Sequence, residues 1–113
     1  MKQGEIWLIN LDPTTGAEIK KTRPGVIVND DSLGGLPLRV IVPMTNWKDK
    51  YEIASWMIKV EPTKANSLHK TSSADCFQVR SISEKRFIRK LGKIDSQTLD
   101  KIKEGLAKVF SMP

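Results

Sequence analysis

Helical periodicity is confined to one stretch of this sequence, its C-terminal end. Leu99, Ile102, Leu106, Val109 and Phe110 fall at i, i+3, i+7, i+10 and i+11, which is one face of an α-helix. Asp95 is suited to cap its N-terminus, with Ile94 and Leu99 at the two positions of a hydrophobic staple. The charges of this segment balance at three each, so its apolar stripe is expected to pack onto a sheet rather than onto a membrane or a partner. Nothing upstream shares the period. The rest of the chain must therefore build its core from strands.

Short apolar or alternating runs supply those strands. Glu5–Leu11 alternates, with Ile6, Leu8 and Asn10 on one face and Trp7, Ile9 and Leu11 on the other, until Asp12-Pro13-Thr14-Thr15-Gly16 stops it. Pro24–Asn29 is a β-branched run of buried character, and Asp30–Gly35 is a turn. Leu38–Met44 is a third strand, for which Pro43 argues an end or an edge position. Further strands are expected at Ile53–Val60, Ser73–Val79 and Arg89–Ile94. Strands at this spacing, with no helix between them, predict a mainly β fold: a small barrel or curled sheet carrying one C-terminal helix. At 113 residues, with no repeat or linker, the whole of 1–113 is one domain.

A composition of 39% hydrophobic and 28% charged residues excludes a disordered chain. No apolar run approaches the ~18 residues of a membrane helix. The N-terminus enters a strand without a signal-like apolar core, which gives a cytoplasmic expectation, and Cys76 is the lone cysteine. Where the charge sits is more informative. Residues 1–57 hold seven cations and seven anions, whereas the segment from Ile58 to Lys93 holds nine cations against Glu61, Asp75 and Glu84. The whole excess of +6 belongs to that segment. It is either a solvated face or the footprint of a polyanion, most plausibly nucleic acid.

Metal or cofactor chemistry has no sequence support. One His and one Cys at unrelated spacing form no ligand set, and there is no Gly-rich phosphate loop. His69 is expected on a loop, and Cys76 as a small buried thiol. An enzyme of this composition has to work with Arg, Thr, Asp, Ser and Lys. Arg23 stands immediately before Pro24, and that junction biases it to an extended backbone, fixing the root of a planar guanidinium suited to phosphate. The alternative is a surface arginine paired with Glu18.

Gly4-x-Ile6-Trp7, then Asp12-Pro13-Thr14-x-Gly16-x-Glu18, then Thr22-Arg23-Pro24, then Val42-Pro43-x-Thr45 form an ordered series. Together with Gln78-Val79-Arg80-Ser81-Ile82 and Arg86, it closely resembles the MazF/PemK (Kid) family of toxin–antitoxin endoribonucleases. The resemblance implies a small SH3-like barrel with a C-terminal helix. It implies a homodimer that cleaves single-stranded RNA without metal or cofactor, silenced by a cognate antitoxin protein with an acidic disordered tail. Arg23 and Thr45 correspond to the family's usual catalytic pair. Many members carry Asp or Glu directly before the Gln of Gln-x-Arg, where this chain has Phe77, and Asp75 two residues earlier shares a strand face with that position. Asp75 is the carboxylate candidate for proton acceptor. RNA contacts are expected from Thr14, Glu18, Lys20, Lys21, Trp47, Gln78, Arg80 and Arg86.

In the chemistry so implied the substrate's own 2′-hydroxyl is the nucleophile, and the products are a 2′,3′-cyclic phosphate and a 5′-hydroxyl. A guanidinium with a pKa above ~12 is a donor and a poor base, so Arg23 is expected to hold the phosphoryl group and Thr45 to donate to a non-bridging oxygen. Trp47 or Phe77 could stack on a splayed base, while Trp7 and Trp56 are expected in the core. Two rivals remain at this level: a gyrase-poisoning toxin of the CcdB type with the same fold, and a non-catalytic SH3-like module that binds nucleic acid or an acidic peptide. Neither gives the Thr-Arg-Pro and Pro-x-Thr motifs a purpose.

Overall fold

A computed structural model describes all of residues 1–113. Seven strands form one antiparallel sheet: β1 (Glu5–Asn10), β2 (Thr22–Ile27), β3 (Leu38–Asn46), β4 (Met57–Val60), β5 (Ser72–Asp75), β6 (Arg80–Ser83) and β7 (Phe87–Lys93). The order across it is β4-β5-β3-β2-β1-β7, with β6 pairing the first half of β3. The single helix α1 (Ser96–Val109) follows, capped by the Asp95 carboxylate, which accepts from the Thr98 N–H. Ile94 joins the core against which Leu99 packs, as the staple requires, and both would lie within 4 Å of a Cβ built on Gly4. No helix is long and apolar enough to cross a membrane.

The sheet curls without closing into the expected barrel. β7 pairs only with β1 and β4 only with β5. Across the gap between these edges runs a single backbone bond, from the Lys93 N–H to the Ala65 carbonyl at 3.0 Å. Ala65 belongs to the β4–β5 connection, residues 61–71, which Asn66 organises from a buried position. Its Oδ1 accepts from the N–H groups of Thr63 and Leu68 at 2.9 and 3.0 Å, and its Nδ2 donates to the Glu61 carbonyl at 2.9 Å. That connection can approach β7 only because residue 92 is glycine: a Cβ there would sit 2.0 Å from the Ala65 oxygen.

Both sheet faces are apolar. Ile6, Val26, Val42, Met44, Ala74 and Cys76 form a core with Ile102 of α1, and Ile9, Leu11, Ile27, Ile41 and Ile82 form a second on the opposite face. Each fully buried aliphatic side chain contributes about 1.5–3 kcal/mol. The alternation expected for β1 holds, since Ile6 joins the first core and Ile9 and Leu11 the second, with Trp7 edge-on to Phe87 at 5.7 Å. The Cys76 thiol is buried where α1 crosses the sheet, donates to the Ile102 carbonyl, and is pushed by burial up to about 12.

Two expected strands are cut short. Asp49–Ile53 is a single 3-10 turn, so the fourth strand starts at Met57. Ser73–Val79 is broken at Cys76–Gln78, where the Asp75 carboxylate accepts from the Phe77 N–H and bends the chain into a second 3-10 turn before β6. Trp56, expected in the core, is 40% exposed and meets Phe77 edge-on at 6.3 Å.

Candidate functional site

Strand parity brings the key residues to one face. On β2, Arg23, Gly25 and Ile27 point the same way. A Cβ on Gly25 would lie 2.7 Å from Ile9 Cδ1 and 3.6 Å from Ile41 Cδ1, which identifies this as the face of the second core. Ile41, Pro43 and Thr45 share it on β3. The pairing of β2 with β3 ends at Gly25 opposite Pro43; Arg23 and Thr45 lie two residues beyond that pair on the same face, and both line one hollow. Thr45 is in turn opposite Ser73 of β5. Asp75 is the next residue of β5 on that face, diagonal to Thr45, a Cα spacing of roughly 7–8 Å.

Arg23 is half-buried and makes no ion pair. Glu18, its proposed surface partner, accepts instead from the Thr15 N–H at 2.8 Å. The Nε of Arg23 is buried without any hydrogen-bond partner. Leaving a donor so placed costs about 1–3 kcal/mol, more when it is charged. Arg39 Nε is in the same condition, so what distinguishes Arg23 is its place in the wall of an open hollow.

Asp75 is 5% exposed. Its Oδ1 accepts from the Phe77 N–H at 3.1 Å and its Oδ2 from Gln78 Nε2 at 3.2 Å. Burial raises its pKa above the ordinary aspartate value, and the bonds from Phe77 and Gln78 offset this only in part. A carboxyl whose pKa is raised in the fold binds its proton more tightly there than in the unfolded chain. Its contribution to stability is therefore full below the unfolded pKa and is lost as pH rises through the folded one. Asp12, Asp30 and Asp95, held low chiefly by hydrogen bonds to their carboxylates, act in the opposite sense. Denaturant titrations between about pH 3 and pH 8 should isolate Asp75: the stability of wild type relative to Asp75→Asn should fall as pH rises through that range. A pH-independent difference would remove the burial effect assigned to it.

Arg23 and Thr45 line the larger of two hollows, and the second begins two residues back along β3 at Pro43. The larger, about 680 Å³, has Arg23, Thr45 and Asn46 in its wall and Leu8, Met44 and Leu91 in its floor. The 61–71 connection and β7 add Lys64, His69, Lys70 and Arg89, and no carboxylate lines it. It occupies the gap where the sheet fails to close. The second, about 630 Å³, lies between the β1–β2 loop and the bend at Phe77 and is lined by Leu11, Pro13, Glu18, Ile19, Pro43, Phe77 and Arg80 among others. Asp75 lines neither; it borders the second through its bonds to Phe77 and Gln78.

Several residues expected on RNA also hold the β1–β2 loop. Gln78 accepts from the Ile19 N–H at 2.6 Å and donates to the Ala17 carbonyl at 3.3 Å. Arg80 Nη1 donates to the Leu11 carbonyl at 3.2 Å, and Arg86 Nη1 to the carbonyls of Asn10 and Asp12. Thr14 Oγ1 and the Lys21 N–H both donate to Asp12 Oδ1, with Lys21 at a left-handed φ of 69°. Lys20 is exposed on the same loop. Trp47 is edge-on to Tyr51 at 5.8 Å and has Lys59 Nζ 5.2 Å from its ring centre. Of the site residues that sequence reasoning did not select, Lys64, His69, Lys70 and Arg89 matter most. Their only signal in the sequence was membership of the basic segment.

With this geometry in hand, the chain can be set beside known proteins. Residues 2–110 match the model of a family described as PemK-like, MazF-like toxin of type II toxin-antitoxin system. The chain is similar to endoribonuclease MazF9 of Mycobacterium tuberculosis, 29% identical over 94% of this chain and 92% of that one. It is 34% identical to endoribonuclease PemK of Escherichia coli over 75% of this chain and 62% of the relative. In fold it superposes on the crystal structure of MazF from Deinococcus radiodurans with a TM-score of 0.82, at 18% identity, covering 99% of this chain and 97% of the other.

Proposed function

Because the chain belongs to the PemK-like, MazF-like family of type II toxins, we propose that it is a metal-independent endoribonuclease that cuts single-stranded RNA. The observation that carries this reading is that Arg23, which has no ion pair, and Thr45 line the same basic, carboxylate-free hollow.

The scissile phosphate is held by the Arg23 guanidinium, whose planar fork matches two phosphate oxygens. The Thr45 hydroxyl donates to a non-bridging oxygen as negative charge grows there. A carboxylate takes the proton of the 2′-hydroxyl as that oxygen attacks phosphorus: Asp75, which borders the second hollow through Gln78, or Glu18, which lines it. The bond from phosphorus to the 5′-oxygen breaks, and the departing oxygen takes a proton from water in the open hollow. The ends left are a 2′,3′-cyclic phosphate and a 5′-hydroxyl. No metal or cofactor enters this sequence of steps.

In the cell the same reading gives a cytoplasmic homodimer held silent by an antitoxin. An acidic tail, disordered until bound, is complementary to the basic hollow and would exclude RNA from it. Such a tail should leave Arg23 and Thr45 covered in the complex.

Thr45 gives the sharpest local test, because its hydroxyl acts on charge that appears only during reaction. Thr45→Ala should lower kcat by about a hundredfold or more with little change in RNA affinity, and Thr45→Ser should recover much of it. If the alanine variant loses affinity and keeps its turnover, Thr45 is a docking residue and the mechanism is wrong. A gyrase poison of the same fold would show no RNA cleavage in either form.

A further inference from the structure

The two hollows differ in a way that the cleavage chemistry can use. In 2′-hydroxyl attack the nucleophile and the leaving 5′-oxygen occupy opposite apices of the phosphorus, in line. The nucleotide that supplies the 2′-hydroxyl must lie on the side that can accept its proton, and the 3′ product must leave on the other. Both carboxylates near the Arg23–Thr45 row are on one side: Glu18 lines the second hollow, and Asp75 is bonded to Gln78, which lines it too. The larger hollow has no carboxylate but has Lys64, His69, Lys70 and Arg89. Lys64, Lys70 and Arg89 are exposed and make no ion pair.

On the reading that the protein cuts RNA, we propose that the strand is bound in one direction: the nucleotide 5′ to the cut over the Phe77 hollow, the phosphates 3′ to the cut in the hollow of Lys64, Lys70 and Arg89. Whichever carboxylate takes the proton, the direction is the same, since both stand on the same side. Chemistry at the 5′ side also suits its lining. Phe77 is 69% exposed and meets Trp56 edge-on, so its ring offers a base an aromatic surface on this side. The 3′ side offers cations to a polyanion and little else.

The 61–71 connection is then a binding element. Its position over the gap is set by Asn66 from within and by Gly92 from β7. The sheet stays open at the place where the 3′ product has to leave.

Neutral backbone linkages test the direction. An RNA spanning a mapped cut site carries 2′-O-methyl groups everywhere except at the cut nucleotide, and methylphosphonates replace the two phosphates either 3′ or 5′ of the cut. For wild type, the 3′ replacement should raise KM by about tenfold and the 5′ replacement by much less. A Lys64→Ala, Lys70→Ala, Arg89→Ala variant, checked for an unchanged melting temperature, should have a raised KM on the natural linkage. It should lose the penalty for the 3′ replacement. A penalty confined to the 5′ replacement, or a triple variant as sensitive as wild type, would overturn the assignment while leaving the nuclease reading intact. Absence of cleavage by wild type on unmodified RNA would overturn both.

Discussion

Arg23→Ala should lower RNA cleavage by roughly a thousandfold or more and leave the melting temperature of the protein almost unchanged. The two halves of this expectation come from the same observation. The guanidinium is the one side chain in the Arg23–Thr45 row able to clamp a phosphate with two parallel hydrogen bonds, so its loss removes charge stabilisation at the reacting centre. It makes no ion pair, and its Nε is buried without a partner. Removing it takes nothing favourable from the fold and relieves a desolvated donor. Arg23→Lys should rescue poorly, because a point charge cannot reproduce the fork. Paired measurements of cleavage rate and thermal unfolding on the three proteins check this. A variant that cleaves normally, or one that is inactive because it has unfolded, would contradict the assignment.

The second large effect is on stability. Gly92→Ala would place a Cβ 2.0 Å from the backbone oxygen of Ala65 and 3.1 Å from the Cα of Asn66. Backbone cannot step aside as a side-chain tip can, so the 61–71 connection or β7 has to move. The Lys93-to-Ala65 hydrogen bond across the gap is the first casualty. A cost of about 3 kcal/mol is expected, with a melting temperature lower by roughly 10 °C. Because the displaced segment carries Lys64, His69 and Lys70, RNA affinity should fall with it. Gly35→Ala makes the control, since a Cβ there meets nothing within 4 Å; it should melt with wild type. Equal melting of the Gly92 and Gly35 variants would show that the close approach does not constrain the fold.

What the sequence disclosed and what it hid divide along one physical line. Local chemistry was legible. The single 3.6-residue period located α1 with its Asp95 cap and Ile94–Leu99 staple, and the period-two alternation of β1 assigned Ile6 and Ile9 to opposite faces. The Arg23-Pro24 junction indicated a fixed guanidinium. What could not be read were consequences of long-range contact. The Asp75 side chain divides an expected strand in two by capping a turn, a habit of Asp that the strand pattern around it masked. Gln78, Arg80 and Arg86 were expected on RNA from the family resemblance; that they also bond backbone groups of the loop between β1 and β2, 59 or more residues away in sequence, could not be read. Lys64 and His69 looked like ordinary loop residues because the gap they border exists only once β7 has folded back against Ala65. Trp56 was expected inside on hydrophobicity alone, while the sheet left it on a rim.

The central claim is that this chain cuts RNA by using the substrate's own 2′-hydroxyl, with Arg23 and Thr45 holding the phosphate. The most direct measurement incubates the purified protein with a long single-stranded RNA in excess EDTA, maps the breaks, and identifies the end groups by mass spectrometry. Cleavage at defined positions, with 2′,3′-cyclic phosphate and 5′-hydroxyl ends, undiminished by chelation and absent with Arg23→Ala, is the predicted result. Intact RNA, or breaks that carry 5′-phosphates, or cleavage that chelation abolishes, would contradict it.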